Sequence, residues 1–174
     1  MSSADNGRDV APRSRVLVVV LGALVLVLAA SSIALAFVAK AHRDDRAALE
    51  NARQSALTAG RQAIVNLDAI SVTTIDSDLD RVLAGATGQF KDQFSKARAD
   101  LKQLVLARKT VSSGTILSAG VVRADTDSAT VLVAVDRLVK DTTSADGVTA
   151  HDRWRLDLEK HGGRWLVADL QPVS

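Results

Sequence analysis

The 174-residue chain contains no cysteine. This absence excludes disulfide frameworks, thiolate zinc sites, lipidated cysteine anchors and cysteine nucleophiles. Aromatic residues make up 3% of the chain and tyrosine is absent, so we do not expect the stacking platforms that bind single-stranded nucleic acids. The 22 Lys and Arg residues and the 20 Asp and Glu residues are interspersed, whereas nucleic-acid binding needs a clustered basic face. The composition therefore predicts no nucleic-acid partner.

A long apolar run lies near the N-terminus, and residues 16–39 contain neither a charged residue nor a proline. As a helix they would span about 36 Å, enough to cross a hydrocarbon core of about 30 Å. A cleaved signal peptide is the alternative, because Arg13 and Arg15 precede the run and residues 34–36 resemble a cleavage site. The run exceeds the usual signal-peptide core, so we predict an uncleaved transmembrane anchor. Representative anchor positions are Val16, Leu21, Leu28, Ile33 and Val38.

This anchor divides the chain into four predicted segments. They are a disordered cytoplasmic tail (1–15), the transmembrane helix (16–39), a juxtamembrane helix (40–67) and the rest of an exported α+β domain (68–174). Basic residues are equally frequent on both sides of the anchor, and the free amino terminus favours an N-terminus in the cytoplasm. We therefore expect a single-pass cell-membrane protein whose C-terminal domain is periplasmic or extracytoplasmic.

After the anchor, helical spacing gives way to strand spacing. Apolar residues recur every three or four positions up to about residue 108 and alternate with polar residues afterwards. The predicted helices cover 40–67, with Gly60 as a weak point, a segment from about Thr74 to before Gly85, and Phe90–Arg108. The predicted strands cover Thr115–Arg123, Thr130–Val139, Arg153–Glu159 and Arg164–Leu170. This order indicates an α+β domain with helices on one face of a four-stranded antiparallel sheet.

Two segments begin like ligand-binding motifs. Asp76, Asp78 and Asp80 have the spacing of the first calcium ligands of an EF-hand, but Arg81 and Thr87 replace the Gly and Glu of that motif. Acidic residues at a helix N-terminus are the simpler interpretation. Residues 85–88 lack the frame of a phosphate-binding loop, which favours a helix–helix turn. We predict neither a metal site nor a cofactor.

The candidate functional side chains lie in the strands. Asp136, His151 and Asp152 form the one arrangement that offers general acid–base chemistry. Loop and turn histidines are usually solvated and no nucleophile motif occurs, so we predict no catalytic residues.

The two tryptophans, Trp154 and Trp165, occupy the two arms of the last hairpin. We expect them near the same level, either in the core or lining a ligand pocket. Arg153 and Arg155 lie on the charged face of their strand, which is either solvated or a protein-docking surface.

Several short motifs follow one another in a fixed order. They are Leu83-Ala84-Gly85-Ala86-Thr87-Gly88-Gln89-Phe90 with Phe94, Ala119-Gly120-Val121, Asp136 at the end of an aliphatic strand, Arg153-Trp154-Arg155-Leu156, and Gly162-Gly163-Arg164-Trp165-Leu166-Val167. Together with the basic tail, the span and the alanine-rich helix, this order resembles the Mce-associated membrane proteins of mycobacteria and related actinomycetes over about residues 10–173. The resemblance implies a nuclear-transport-factor-2-like (SnoaL-like) cone, in which three helices and a curved four-stranded sheet enclose a cavity.

The resemblance also implies a function. Family members are thought to assist Mce complexes, which import lipids across the envelope, so we expect a non-enzymatic accessory protein that binds and stabilises such a complex. One alternative with the same architecture is a VirB-type scaffold of a type IV secretion apparatus. A second is a cone that binds a lipid or another apolar ligand, and a third is an isomerase-like enzyme that uses Asp136, His151 or Asp152.

Overall fold

The computed structural model describes residue 40 and residues 43–173. The predicted tail over 1–15 and the predicted anchor over 16–39 lie outside these residues. Among the described residues, no helix combines the length and the apolar character needed to cross a membrane. The fold below is that of residues 43–173, of which residues 47–173 belong to one compact unit.

Three helices precede the sheet, as predicted. Helix α1 covers 43–68, α2 covers Ile75–Ala84 and α3 covers Gly88–Arg108. Gly88 has a φ of 51°, a left-handed conformation that glycine adopts without the steric cost of a Cβ. Residues 85–88 therefore form the predicted turn between two helices.

Four strands complete the domain, and the predicted meander is confirmed. Strand β1 covers Val111–Ala124, β2 covers Ser128–Lys140, β3 covers Val148–His161 and β4 covers Arg164–Pro172. All neighbours are antiparallel, in the order β1-β2-β3-β4. The register shifts twice in β1 and once in β4, and such bulges bend and twist a strand. The bulges therefore curve the sheet, and the alternation of apolar and polar residues in the sequence did not predict their positions.

The main core lies between α1 and one face of the sheet, which we call the inner face. Its fully buried members are Ile64, Val131, Val133, Val135, Leu156, Leu158 and Val167. A Cβ added to Gly60 would lie 3.1 Å from Cγ1 of Val131. The predicted weak point is therefore a place where an unbroken helix approaches β2 closely. A second cluster joins Ile70, Ile75, Leu79 and Val105 near the helix–helix contact.

Candidate functional site

A pocket of about 430 Å³ lies among the end of α1, helix α3 and strands β2 and β3; we call it the cone pocket. Its volume is within the range of about 300–1,000 Å³ that is typical of small-molecule sites. The apolar walls include Leu67, Leu101, Leu104, Val105, Val139 and Trp154. The polar lining is Asp68, Arg108, Thr110, Ser112, Arg137 and Asp141. Apolar atoms thus form most of the lining surface, and the polar side chains include four charged ones.

The wall of the cone pocket contains a buried acid. Asp68, the last residue of α1, is 2% exposed. Its Oδ1 lies 3.6 Å from Nε of Arg137, and its Oδ2 has no hydrogen-bond partner among the described residues. Burial raises the pKa of Asp68 from 3.8 to about 6; the charge of Arg137 opposes this rise and the charge of Asp152 adds to it. Both protonation states of Asp68 are therefore accessible at mildly acidic pH.

A second acid holds Arg137. The Nε of Arg137 donates a hydrogen bond to Oδ2 of Asp152 at 2.9 Å. Within the described part of the chain, the terminal nitrogens Nη1 and Nη2 make no hydrogen bond. The Arg137 side chain is 35% exposed and lines the cone pocket. Arg137 therefore has guanidinium donors that these two carboxylates do not use.

Strand β1 is shaped around Asp68. A Cβ added to Gly114 would lie 2.5 Å from Oδ2 and 2.7 Å from Cβ of Asp68, so no other residue fits there without a shift. The Oγ of Ser112 donates a hydrogen bond to the carbonyl oxygen of Asp68 at 2.6 Å. These contacts fix the end of α1 against the edge strand.

The rim of the cone pocket carries an ion pair. Nη1 of Arg108 lies 4.0 Å from Oδ2 of Asp141, a long distance for such a pair. Two hydrogen bonds from Thr143 and one from the backbone N–H of Ser144 lower the pKa of the Asp141 carboxyl, and the charge of Arg108 lowers it further. Asp141 is thus held as an anion by its own turn, and Arg108 is only loosely engaged.

The opposite, outer face of the sheet carries a surface that we call the arginine-rimmed patch. It consists of Val122, Leu132, Val173, Arg123, Arg153 and Arg155, which line two adjoining shallow depressions of about 260 and 390 Å³. Leu132 is 41% exposed and Val122 is 62% exposed. Leu132 pairs with Gly120 on one neighbouring strand, where an added Cβ would meet nothing within 4 Å. The patch is therefore apolar at its centre and open to a partner.

Positive charge predominates around this patch. Nη2 of Arg155 lies 3.3 Å from Oδ2 of Asp157. No acid among the described residues lies within ion-pair distance of Arg123 or Arg153. Arg153 and Arg155, the arginines considered for docking from the sequence, thus lie together on one exposed surface.

The acid–base trio is divided between the two faces. Nδ1 of His151 lies 2.6 Å from Oδ1 of Asp136 on the outer face, where the His151 side chain is 76% exposed. Asp152 lies on the inner face and binds Arg137. Alternation along β3 separates the two neighbours, so the trio does not form one site.

The tryptophans are also separated, and the expectation that they lie near the same level is wrong. Trp165 pairs with Lys160, whereas Trp154 pairs with Pro172 near the far end of β4. Trp154 lines the cone pocket. Trp165 packs against the main core, and its ring lies 5.7 Å from Nζ of Lys160. Of the two tryptophans, only Trp154 therefore lines the cone pocket.

The segment that begins like an EF-hand has three separate cationic partners. Lys102 pairs with Asp76 at 2.6 Å, Arg98 with Asp80 at 2.6 Å and Arg81 with Asp78 at 2.9 Å. Asp78 Oδ2 also accepts hydrogen bonds from Ser71 N at 3.0 Å and Thr74 Oγ1 at 2.7 Å. The carboxylates therefore stabilise the start of α2. Over residues 43–173, no group of three acidic, His or Cys side chains could hold a metal ion.

The polar side chains of the cone pocket were not predicted from the sequence. Asp68 continues the apolar stripe of α1, and Arg137 follows the buried positions 131, 133 and 135 of β2. A charged residue at an otherwise buried position is the signal that could have identified both of them.

Comparison with other proteins gives the family. The family described as "Uncharacterized protein Rv1363c/MT1408-like" matches residues 15–171. In Mycobacterium tuberculosis, "Uncharacterized protein Rv1363c" is 28% identical over 122 residues, which cover 70% of this chain and 47% of that protein. "Outer membrane protein Rv1973" is 28% identical over 124 residues, covering 70% and 76%. This chain thus spans about half the length of the first relative and about three quarters of the second.

Solved structures give the fold. The periplasmic domain of DotI has a TM-score of 0.57 at 12% identity, covering 67% of this chain and 91% of that one. An IcmL-like type IV secretion system protein from Legionella pneumophila has a TM-score of 0.56 at 11% identity, covering 68% and 91%. The architecture resembles SnoaL/NTF2-like cone folds. Because the family match extends over nearly the whole chain, the protein belongs to the Rv1363c/MT1408-like family.

Proposed function

We propose that this protein is a non-enzymatic accessory subunit of a multiprotein complex in the cell envelope. In this proposal, residues 16–39 anchor it in the cell membrane with the N-terminus in the cytoplasm. The domain lies outside the cytoplasm and docks on its partner through the arginine-rimmed patch. The names of the relatives support an envelope location, since one is an outer membrane protein and one structural neighbour is a periplasmic domain.

The arginine-rimmed patch is the observation that carries this proposal. A sheet face that meets only water is expected to be polar, whereas this face exposes Leu132, Val122 and Val173 beside one another. An apolar centre with a polar rim is typical of protein–protein interfaces, and arginine is enriched in them. Arg123 and Arg153 favour a partner with acidic residues around an apolar contact.

We further propose that the complex is an Mce-type lipid importer, as the resemblance in the sequence motifs implies. Membrane anchoring would confine both proteins to one surface, which raises their effective concentration. A modest interface on the patch would then be sufficient for stable association.

A scaffold role in a secretion apparatus is the second candidate function. Its support is the fold, because DotI and the IcmL-like protein share this architecture and the latter is a type IV secretion system protein. Both candidates use the sheet face as a docking surface, and they differ in the partner.

The division of Asp136, His151 and Asp152 between two faces supports a role without catalysis. General acid–base chemistry needs its groups within reach of one substrate. The Asp136–His151 pair lies on an exposed surface and the cone pocket contains no His. The arrangement therefore favours binding over catalysis.

Photo-crosslinking tests the proposal. A photoreactive amino acid at Leu132 of the full-length protein should crosslink to Mce proteins or their permease in the native envelope. The same group at Lys96, an exposed position on α3, should not. Secretion components at Leu132 would favour the second candidate. Equal labelling from both positions, or none, would contradict docking through the patch.

A further inference from the structure

The cone pocket is not used by the docking proposal, although it has the size and composition of a ligand site. Its volume is about 430 Å³ and its lining is mainly apolar. Leu104 is 48% exposed and contributes to this lining. The body of a ligand that fits here would be a compact hydrocarbon, because apolar pockets gain affinity by removing apolar surface from water.

The polar groups of the pocket indicate which chemical group the ligand carries beside its hydrocarbon body. Asp152 engages Nε of Arg137 at 2.9 Å and leaves Nη1 and Nη2 without an acceptor among the described residues. A guanidinium presents its terminal N–H groups in a planar fork that matches a carboxylate. Asp152 thus orients the arginine without occupying its fork.

We propose that the cone pocket binds an amphipathic carboxylate, with its hydrocarbon body against the apolar walls and its carboxylate on the terminal nitrogens of Arg137. This inference goes beyond the docking function and does not depend on it. The cone pocket opens on the inner side of the sheet and the patch lies on the outer side, so the two sites can be tested separately.

The charges around Arg137 make this binding dependent on pH. Asp68 of α1 and Asp152 of β3 face the guanidinium, and Arg108 and Asp141 lie at the rim. The nearest residues of β1, Ser112 and Gly114, are uncharged. With both inner acids ionised, an incoming carboxylate meets a net negative cluster. When Asp68 takes up a proton, the cluster of Asp68, Asp152 and Arg137 becomes neutral. The pKa of Asp68, about 6, places this change in mildly acidic solution.

The two tryptophans allow a direct binding measurement. Trp154 lines the pocket and Trp165 does not, and the chain has no other tryptophan. In full-length protein carrying Trp165→Phe in lipid nanodiscs, Trp154 supplies the tryptophan emission. Because Trp154 lines the cone pocket and also one depression of the arginine-rimmed patch, the Leu104→Glu and Leu106→Glu variants assign the response to the cone pocket. The probes are adamantane carboxylate, adamantanol and adamantyl ammonium, which share one hydrocarbon body. A Trp154→Phe protein gives the response to nonspecific partitioning.

The carboxylate should bind about tenfold more tightly than the alcohol at about pH 6, where the probe is an anion, because its bonds to the guanidinium are charge-assisted. Its affinity should fall about tenfold between about pH 6 and pH 8. Asp68→Asn should keep the higher affinity at both pH values. Leu104→Glu should abolish carboxylate binding by repulsion, whereas Leu106→Glu should not, because Leu106 is similarly exposed at 45% but lies outside the pocket lining.

Three results would overturn the proposal. They are equal affinity for the three probes, preference for the ammonium probe, and no carboxylate-dependent change in Trp154 emission at either pH. Loss of Mce crosslinks from Leu132 would leave this binding result unchanged, so failure of the docking proposal is distinguishable from failure of this one.

Discussion

The two faces of one sheet differ in what happens to their apolar residues. On the inner face, Val131 of β2 and Leu156 of β3 are completely buried under α1. On the outer face, Leu132 lies beside Arg155 and stays 41% exposed. Alternation along a strand assigns neighbours to opposite faces, so a single residue step separates the core from the patch. The core is complete without Leu132. Core packing therefore does not explain why an apolar residue is exposed on the outer face.

The largest expected effect is a difference in unfolding free energy between a variant of the inner face and a variant of the outer face. Leu156→Ala should lower the free energy of unfolding by about 2–5 kcal/mol, because it removes a fully buried side chain and leaves a cavity. Leu132→Ala should change it by about 0.5 kcal/mol or less. Denaturant unfolding of the two full-length variants measures both values. Similar losses would show that the outer face is also part of the core.

Asp68 should give the next largest effect, a change of the unfolding free energy with pH. The direction of this change follows from the raised pKa of Asp68. The folded state holds this proton up to about pH 6, whereas the unfolded carboxyl releases it near 3.8. Stability from this group is therefore present below about pH 4 and is lost as the pH rises through about 6, by about 3 kcal/mol in total. Asp68→Asn should remove most of this loss, so it should stabilise the protein at neutral pH. Unfolding free energies measured between about pH 4 and pH 8 test this, and an unchanged profile in Asp68→Asn would contradict the assignment.

Two glycines of β1 allow the space available for a side chain to be compared on the two faces of the sheet. Gly114→Ala should destabilise the fold by about 1–3 kcal/mol, because its Cβ would overlap the Asp68 carboxylate. Gly120→Ala should be neutral or slightly stabilising, because its Cβ meets open space on the outer face. Thermal unfolding of the two variants compares them directly, and a neutral Gly114→Ala would contradict the close contact with Asp68.

The smallest effect is expected for the exposed acid–histidine pair. Replacing Asp136 by Asn and His151 by Gln should change stability by about 1 kcal/mol or less, as for other exposed ion pairs. Cellular function and recovery of the partner should persist. Loss of function in a folded, partner-bound double variant would instead support the enzyme hypothesis.

The periodicity of the sequence was sufficient to predict the helices, the four strands and their antiparallel order, because each of these depends on local spacing. The cone pocket depends on contacts between residues far apart in the sequence, and Asp68 and Arg137 carry no motif of their own. Each bulge in β1 and β4 adds one residue and so shifts the phase of the alternation, and the local sequence pattern does not indicate where that residue falls. Counting outward from the turn at Gly162-Gly163 places Trp165 opposite Lys160, as observed, so the sequence already contained the information that separates Trp154 from Trp165.

Charge reversal on the patch tests the central claim most directly. Arg153→Glu with Arg155→Glu should greatly reduce co-purification of the full-length protein with Mce proteins from its native envelope, since both arginines border the proposed interface. Lys91→Glu with Lys96→Glu makes the same charge change at exposed positions on α3 and should leave recovery unchanged. Equal recovery with both double variants would contradict docking through the outer face of the sheet.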